Sequence, residues 1–291
     1  MPFRSFLLLC VLTALCAASP ADAAPCPEHF AAGRPPEPRD PKRAAGLREL
    51  CFSAFAVGHS GKSRTPLWSA EHLTRDGIKA AQTLPRQGTF HAEPALPHGE
   101  AADLRDYRAS GYDRGHMSPS GDMPTLEAQQ ESFSLANMVP QAPKLNRNLW
   151  EAIEKSVRVW AVRAGNVYVV TGPLFEGQSL EALNGRVLVP TSLFKAVYDP
   201  AGKRAGAYLT RNADDAGYKA ISIDQLTALA GMDVFPAAPA ALKARAGALP
   251  PPMHRGASGT RSPRAARDGG HTGDRSGWGH WFRTLGREFP R

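Results

Sequence analysis

The segment YDRGHMSPSGDM, residues 112–123, sets an imidazole, His116, two positions after a guanidinium, Arg114, with Gly115 between them. In an extended segment side chains two apart share a face, so base and cation would point into the same space. An imidazole beside a positive charge is biased toward its neutral form, which is the form that takes up a proton. The planar fork of the guanidinium suits a phosphate, and the glycine leaves room for a bulky ligand at the backbone. A histidine in an arbitrary position is more often structural or simply exposed. The weight therefore falls on what accompanies it.

A second group lies in LANMVPQAPKLNRNLWEAIE, where Asn146 and Glu154 stand eight residues, two helical turns, apart with Trp150 on the same flank. An amide oxygen and a carboxylate so placed could hold a hydrated hard cation, one directly and the other through water. The plainer alternative makes Asn146 a helix cap and Glu154 a solvated charge. Together the two groups offer a neutral base, a phosphate-reading arginine and an oxygen site for a cation. That inventory suits attack of water on a phosphodiester.

The elements that must position these residues are partly visible. LCFSAFAVGHS and RTPLWSAEHLT flank the turn Ser60-Gly61-Lys62-Ser63 and read as a hairpin. Between Thr74 and Tyr112 periodicity is weak and Pro85, Pro94 and Pro97 intervene, which predicts a long connection. A helix is expected from near Asn146, capped by Asn146 or Asn148, with Leu149, Ile153, Val157 and Trp160 on one stripe and Gly165 at its end. NVYVVTGPLF, RVLVPTSLFKAVYDP and AGAYLTR read as three more strands, and SIDQLTALAGMD as a short helix with Ser222 and Gln225 in a capping box. One α+β domain is expected over residues 50–236, after an extended Pro-rich connector at 24–49.

At the front, Arg4 precedes FLLLCVLTALCAA, and Ala21-Asp22-Ala23 has the small residues a signal peptidase reads, so residues 1–23 are expected to be a secretory signal. The run is too short to span a bilayer, and no later segment approaches ~20 apolar residues, so no membrane insertion is expected after cleavage. Cys10 and Cys16 leave with the signal, while Cys26 and Cys51 remain. In an oxidising compartment these are most simply one disulfide, with two free buried thiols as the alternative. An isolated pair also lacks the clustered spacing of a zinc site. Residues 237–291, rich in Ala, Pro, Gly and Arg, have too few large apolar residues to offset ordering entropy and are expected to be a disordered basic tail. Residues 251–291 contain eight Arg and three acids, a net +5 of the total +8, so the basic excess is largely a tail property. It implies loose attraction to polyanions and says nothing about chemistry.

Asp113-Arg114-Gly115-His116, followed in order by Ala136-Asn137-Met138-Val139-Pro140-Gln141, Leu145-Asn146, Trp150 and Glu154, resembles the DNA/RNA non-specific endonucleases. That family includes secreted bacterial nucleases and mitochondrial endonuclease G and shares a ββα-metal site. VTGPLF (170–175) and VPTSLFK (189–195) also look like family segments. The resemblance implies a ββα-metal endonuclease fold, with a central antiparallel sheet and flanking helices. It implies His116 as general base, Asn146 as the direct ligand of magnesium, with manganese as the alternative ion, and Glu154 as a ligand through water. Asn137 would orient the site and Arg114 would contact the phosphate. RQGTFHAE (86–93) is similar to the family's Arg-containing segment, which makes Arg86 a second phosphate-stabilising arginine. Two departures stand out: Glu93 closes that segment where Asp is usual, and Ala136 precedes Asn137 where Ser is common. The implied activity is metal-dependent cleavage of DNA and RNA without sequence preference, by a secreted or periplasmic enzyme. Family members are often homodimers, although no interface signature is visible here. Two other readings compete: a secreted nucleic-acid-binding protein that does not cleave, and a phosphodiesterase acting on small substrates.

Overall fold

The computed structural model describes residues 25–41 and 46–254; the expected signal peptide and the chain beyond 254 lie outside the described residues. Thirteen strands occur in chain order: β1 (Glu37–Pro38), β2 (Leu47–Cys51), β3 (Ala56–Ser60), β4 (Thr65–Thr74), β5 (Asp113–His116), β6 (Met138–Gln141), β7 (Asn166–Leu174), β8 (Ala182–Leu183), β9 (Val187–Leu188), β10 (Ser192–Asp199), β11 (Arg204–Arg211), β12 (Tyr218–Ile221) and β13 (Met232–Asp233). Seven of them form one antiparallel sheet in the order β12-β11-β10-β7-β4-β3-β2.

The central strands β7 and β10 are buried along nearly their whole length, so both faces of the sheet must be covered. Successive residues face opposite ways. Val170, Phe194 and Ala196 pack with Trp68, Phe235 and the helix Ile223–Ala230, while Val169, Leu193 and Val197 pack with Ile153, Val157 and Trp160 of the helix Glu151–Ala164. The result is helix, sheet, helix, as the α+β expectation required. The helix Ile223–Ala230 starts on the Ser222–Gln225 capping box and stops at Gly231 with φ 63°, a left-handed conformation that glycine adopts without strain.

Several expectations are corrected. The stretch after Thr74 is not simply a connection: it holds a helix, Arg75–Thr83, capped by the Thr74 hydroxyl accepting from Gly77 N at 3.0 Å, and a single turn, Leu104–Tyr107, with an Asp103–Asp106 capping box. RVLVPTSLFKAVYDP is not one strand. Its first part, Val187–Leu188, is β9 and pairs back on β8, and β10 begins only at Ser192, after Pro190, which lacks the N–H a ladder needs.

Residues 24–49 are likewise more than a connector. Two single 3₁₀ turns, Pro27–His29 and Ala31–Gly33, bury Phe30 edge-on against Trp68, β1 pairs with β13, and β2 forms the edge of the main sheet. Cys26 and Cys51 are joined in a disulfide, with Cα atoms 5.9 Å apart. Order also continues past residue 236. After the turn Ala240–Lys243, a strap crosses β11 and reaches the helix Glu151–Ala164. Gly247 N donates to Ala205 O (2.8 Å), Tyr208 to Pro250 O (2.6 Å), Ser156 to Pro251 O (2.7 Å) and Met253 N to Ala152 O (3.0 Å). Among the described residues no helix is long and apolar enough to cross a membrane.

Candidate active site

β5 pairs antiparallel with β6, Asp113 opposite Gln141 and His116 opposite Met138. The chain then enters a π-helical turn, Leu145–Trp150, which runs on into the helix Glu151–Ala164, so two short strands and a helix frame the site. Gly115 is required by its cross-strand neighbour: a Cβ there would lie 2.0 Å from Gln141 Oε1. The close approach of Gln141 alone calls for a small residue here.

The main sheet anchors the chain just after His116. Ser69, Thr171 and Lys195 stand side by side across β4, β7 and β10. Buried Lys195 Nζ donates to Thr171 Oγ1 (2.7 Å) and to the Met117 carbonyl (3.2 Å), and the Ser69 and Ser118 hydroxyls are 2.6 Å apart. Asn137, fully buried, completes the anchor: its Oδ1 accepts from Ser118 N (3.0 Å) and Ser69 Oγ (3.1 Å), while Nδ2 donates to Ser118 O (2.8 Å) and Ser132 O (2.9 Å). Asn137 therefore lies beneath the site and holds its backbone. It is not among the residues that line the cavity above.

That cavity, of about 590 Å³, is lined by Arg86, Arg114, His116, Asn146 and Glu154 together with Asp113, Arg158, Phe90 and Tyr107. Residues up to 72 positions apart thus share one wall. Asn146 is no cap: Lys144 before it is already helical, at φ −71° and ψ −35°, and Asn148 bonds back to Lys144 O. The Asn146 amide instead donates to Asp113 Oδ2 at 2.9 Å, and Arg147 donates to both oxygens of the same carboxylate (2.8 and 2.6 Å). These bonds hold the Asp113 carboxyl below its ordinary range despite the opposing effect of partial burial.

Burial dominates the electrostatics. His116 is pushed down to about 3, first by desolvation and then by the Arg86 guanidinium. The cation responsible is Arg86, where the motif had pointed to Arg114. His116 Nε2 is buried with no hydrogen-bond partner among the described residues, and an imidazole held this far below its ordinary value is neutral, the form that takes up a proton. Glu154 is pushed up to about 7 by burial, against the pull of Lys195 and Arg158. Deeper still, Glu71 is fully buried, and desolvation and Asp122 drive it well above the carboxylate range against the pull of Lys195 and the Ser118 hydroxyl.

Asn146 has its amide nitrogen committed to Asp113, which leaves Oδ1 as a free acceptor on the wall it shares with the Glu154 carboxylate. Two oxygen donors beside a polar cavity fit a hard divalent cation that keeps most of its water. A bound cation would favour the charged form of Glu154 that burial disfavours. Among the described residues no cluster of three or more His, Cys, Asp or Glu offers a competing site.

Some contributors carried no sequence signal strong enough to single them out. Arg158, one turn beyond Glu154, lines the cavity and pairs with buried Asp122 at 2.7 Å; the i, i+4 spacing from Glu154 could have found it. Phe90 and Phe133 wall the His116 ring at centroid distances of 5.7 and 5.0 Å. Nothing local marks them. Glu93, in place of Asp, still reaches Ser134 Oγ (2.7 Å) and Ala95 N (3.1 Å), so its extra methylene is accommodated.

Comparison with known proteins places the chain in a family. The family model for DNA/RNA non-specific endonucleases matches residues 42–241. Nuclease C1 of Cunninghamella echinulata var. echinulata is 35% identical over 181 residues, covering 58% of this chain and 71% of the fungal protein. The mitochondrial nuclease EXOG of Danio rerio is 31% identical over 215 residues, covering 66% of this chain and 62% of the fish protein, so more than a third of that relative has no counterpart in the match. A crystal structure of the EndoG/EndoGI complex superimposes with a TM-score of 0.59 at 26% identity, over 63% of this chain and 84% of that one. The protein is a member of the DNA/RNA non-specific endonuclease family.

Proposed function

We propose that the protein is a secreted or periplasmic, magnesium-dependent endonuclease that hydrolyses phosphodiester bonds in DNA and RNA without reading sequence. The observation that carries this reading is the convergence of His116, Arg86, Arg114, Asn146 and Glu154 on one cavity. Neutral His116 takes a proton from a water placed in line with the phosphorus. Arg86 and Arg114 face the phosphoryl oxygens and offset the charge that builds on them as the 3′-oxygen leaves. Asn146 and Glu154 would hold the cation, which when bound supplies further positive charge against the phosphate. Phosphate contacts carry no base information, and no residue in this scheme needs a ribose 2′-hydroxyl, so both nucleic acids are substrates.

A plasmid-nicking assay with and without EDTA, run beside His116→Ala, tests the reading. Nicking that EDTA abolishes and that falls ~10²- to 10⁴-fold in the variant supports it. Binding without nicking, cleavage only of small diesters, or an unimpaired variant would overturn it.

A further inference from the structure

The buried Nε2 of His116 has no hydrogen-bond partner among the described residues, and two phenyl rings pack against the imidazole. Phe133 meets it edge to face at 5.0 Å and 89°, and Phe90 lies beside Phe133, tilted 50° to the imidazole at 5.7 Å. The two phenyl rings touch each other at 4.9 Å. Each also carries one of the arginines: Arg86 Cζ stands 5.6 Å from the Phe133 centroid, and Arg114 Cζ 4.2 Å from that of Phe90. Guanidinium over ring is attractive, and aromatic pairs at these distances hold preferred angles.

Phe133 is itself firmly placed. It ends the helix Leu126–Ser132, its carbonyl accepts from His91 N (3.3 Å), and the backbone of Gly88, at φ +141°, passes so close that a Cβ there would lie 2.2 Å from the ring. The segment bearing Arg86 and Phe90 is pinned to the same helix, with Gln87 N on Gln129 Oε1 (2.9 Å) and Thr89 N on Gln130 Oε1 (3.1 Å).

We infer that Phe133 and Phe90 are positioning residues for the reaction: the two phenyl rings and the imidazole form a three-ring cluster, with one arginine over each phenyl, that fixes the base and both phosphate-binding arginines relative to one another. The cluster does the orienting that a carboxylate does for a histidine elsewhere. This rests on His116 as the base. Misplacement of a reacting group by about 1 Å costs up to ~10²-fold in rate.

Phe133→Leu and Phe90→Leu keep an apolar side chain, somewhat smaller, and lose the rings. In each, kcat on plasmid DNA is expected to fall on the order of 10- to 100-fold, while thermal unfolding shows that the fold persists. The acid limb of the kcat/KM profile should move to higher pH, because water then reaches the base and, in Phe133→Leu, the Arg86 guanidinium that depresses it loses its ring, while the charged groups off the rings, Asp113, Arg147, Glu151, Glu154 and Arg158, are untouched. A merely structural role would not move that limb. Wild-type kcat in both variants, or a loss of kcat with the acid limb unmoved, overturns the proposal. Should Phe133→Leu fail to fold, the half-buried Phe90→Leu decides by the same two readouts. His116→Ala keeps the two failures apart: activity in that variant sinks the base assignment, whereas an inactive His116→Ala beside a wild-type-like Phe90→Leu sinks only the positioning role of the phenyl rings.

Discussion

Asn146 and Asp113 are joined side chain to side chain, the amide nitrogen of one donating to Oδ2 of the other at 2.9 Å. Asp113 stands on β5, three residues before His116, and Asn146 in the turn that opens the site helix, so this bond ties the base-bearing strand to the proposed metal ligand. It also settles which end of the amide faces the cavity. Asp113→Ala should let that amide rotate, and loss of such a supporting partner commonly costs 10- to 100-fold in metal affinity. The expected outcome is a rise of that order in the magnesium concentration for half-maximal nicking, with rate recovered at saturation. An unchanged magnesium requirement would count against Asn146 as a ligand.

The two arginines are distinguishable by pH. Both should lose on the order of 10²-fold in rate when replaced by Leu, as when a donor to developing charge is removed. Only Arg86 depresses His116 electrostatically, so Arg86→Leu should also raise the pH at which activity fails in acid, while Arg114→Leu should leave it. Stability has a linked signature. Unfolded His116 binds its proton near its ordinary value of about 6.5, and the folded one only near 3. Across that window the unfolded state holds more protons, so this contribution to stability is complete above the upper value and is lost as pH falls. Urea unfolding of His116→Ala against wild type between pH 4 and 7 checks the sign.

Asn137→Ala separates support from chemistry. Four hydrogen bonds end on this buried amide, and leaving several buried groups unpaired should cost about 3 kcal/mol. Denaturant midpoints should fall accordingly. Because Asn137 does not line the cavity, the variant that remains folded at low temperature should keep its magnesium requirement.

What was legible in the sequence follows from how local each signal is. DRGH carries base and arginine because a strand keeps residues two apart on one face, and the long helix shows because its apolar stripe repeats. Asn146 was ambiguous for a physical reason: helix caps and oxygen ligands use the same amide, and only the partner, Asp113, 33 positions away, decides. Phe133 and Lys195 were invisible as site residues, since their roles depend on ring and strand neighbours that meet only in three dimensions. The helix Arg75–Thr83 was hidden by its shortness and by Pro85 just beyond it.

The strap leading toward the basic tail gives the last prediction. Pro250, Pro251 and Met253 bond to Tyr208 and to Ser156 and Ala152 on the helix that bears Glu154, and they lie beyond the family match, which ends at residue 241. Truncation after His254 removes residues whose charge should add only salt-sensitive affinity, so it should weaken binding at low salt and spare the magnesium-dependent rate. Truncation after Ala246 removes the strap's hydrogen bonds as well. It exposes the Tyr208 hydroxyl and the Ser156 side chain, and each buried bond lost is worth about 1 kcal/mol. The longer deletion should therefore lower the unfolding temperature and loosen the helix under Glu154, with a weaker response to magnesium. Equal thermal stability of the two truncated proteins would mean that the strap rests on the helix without supporting it.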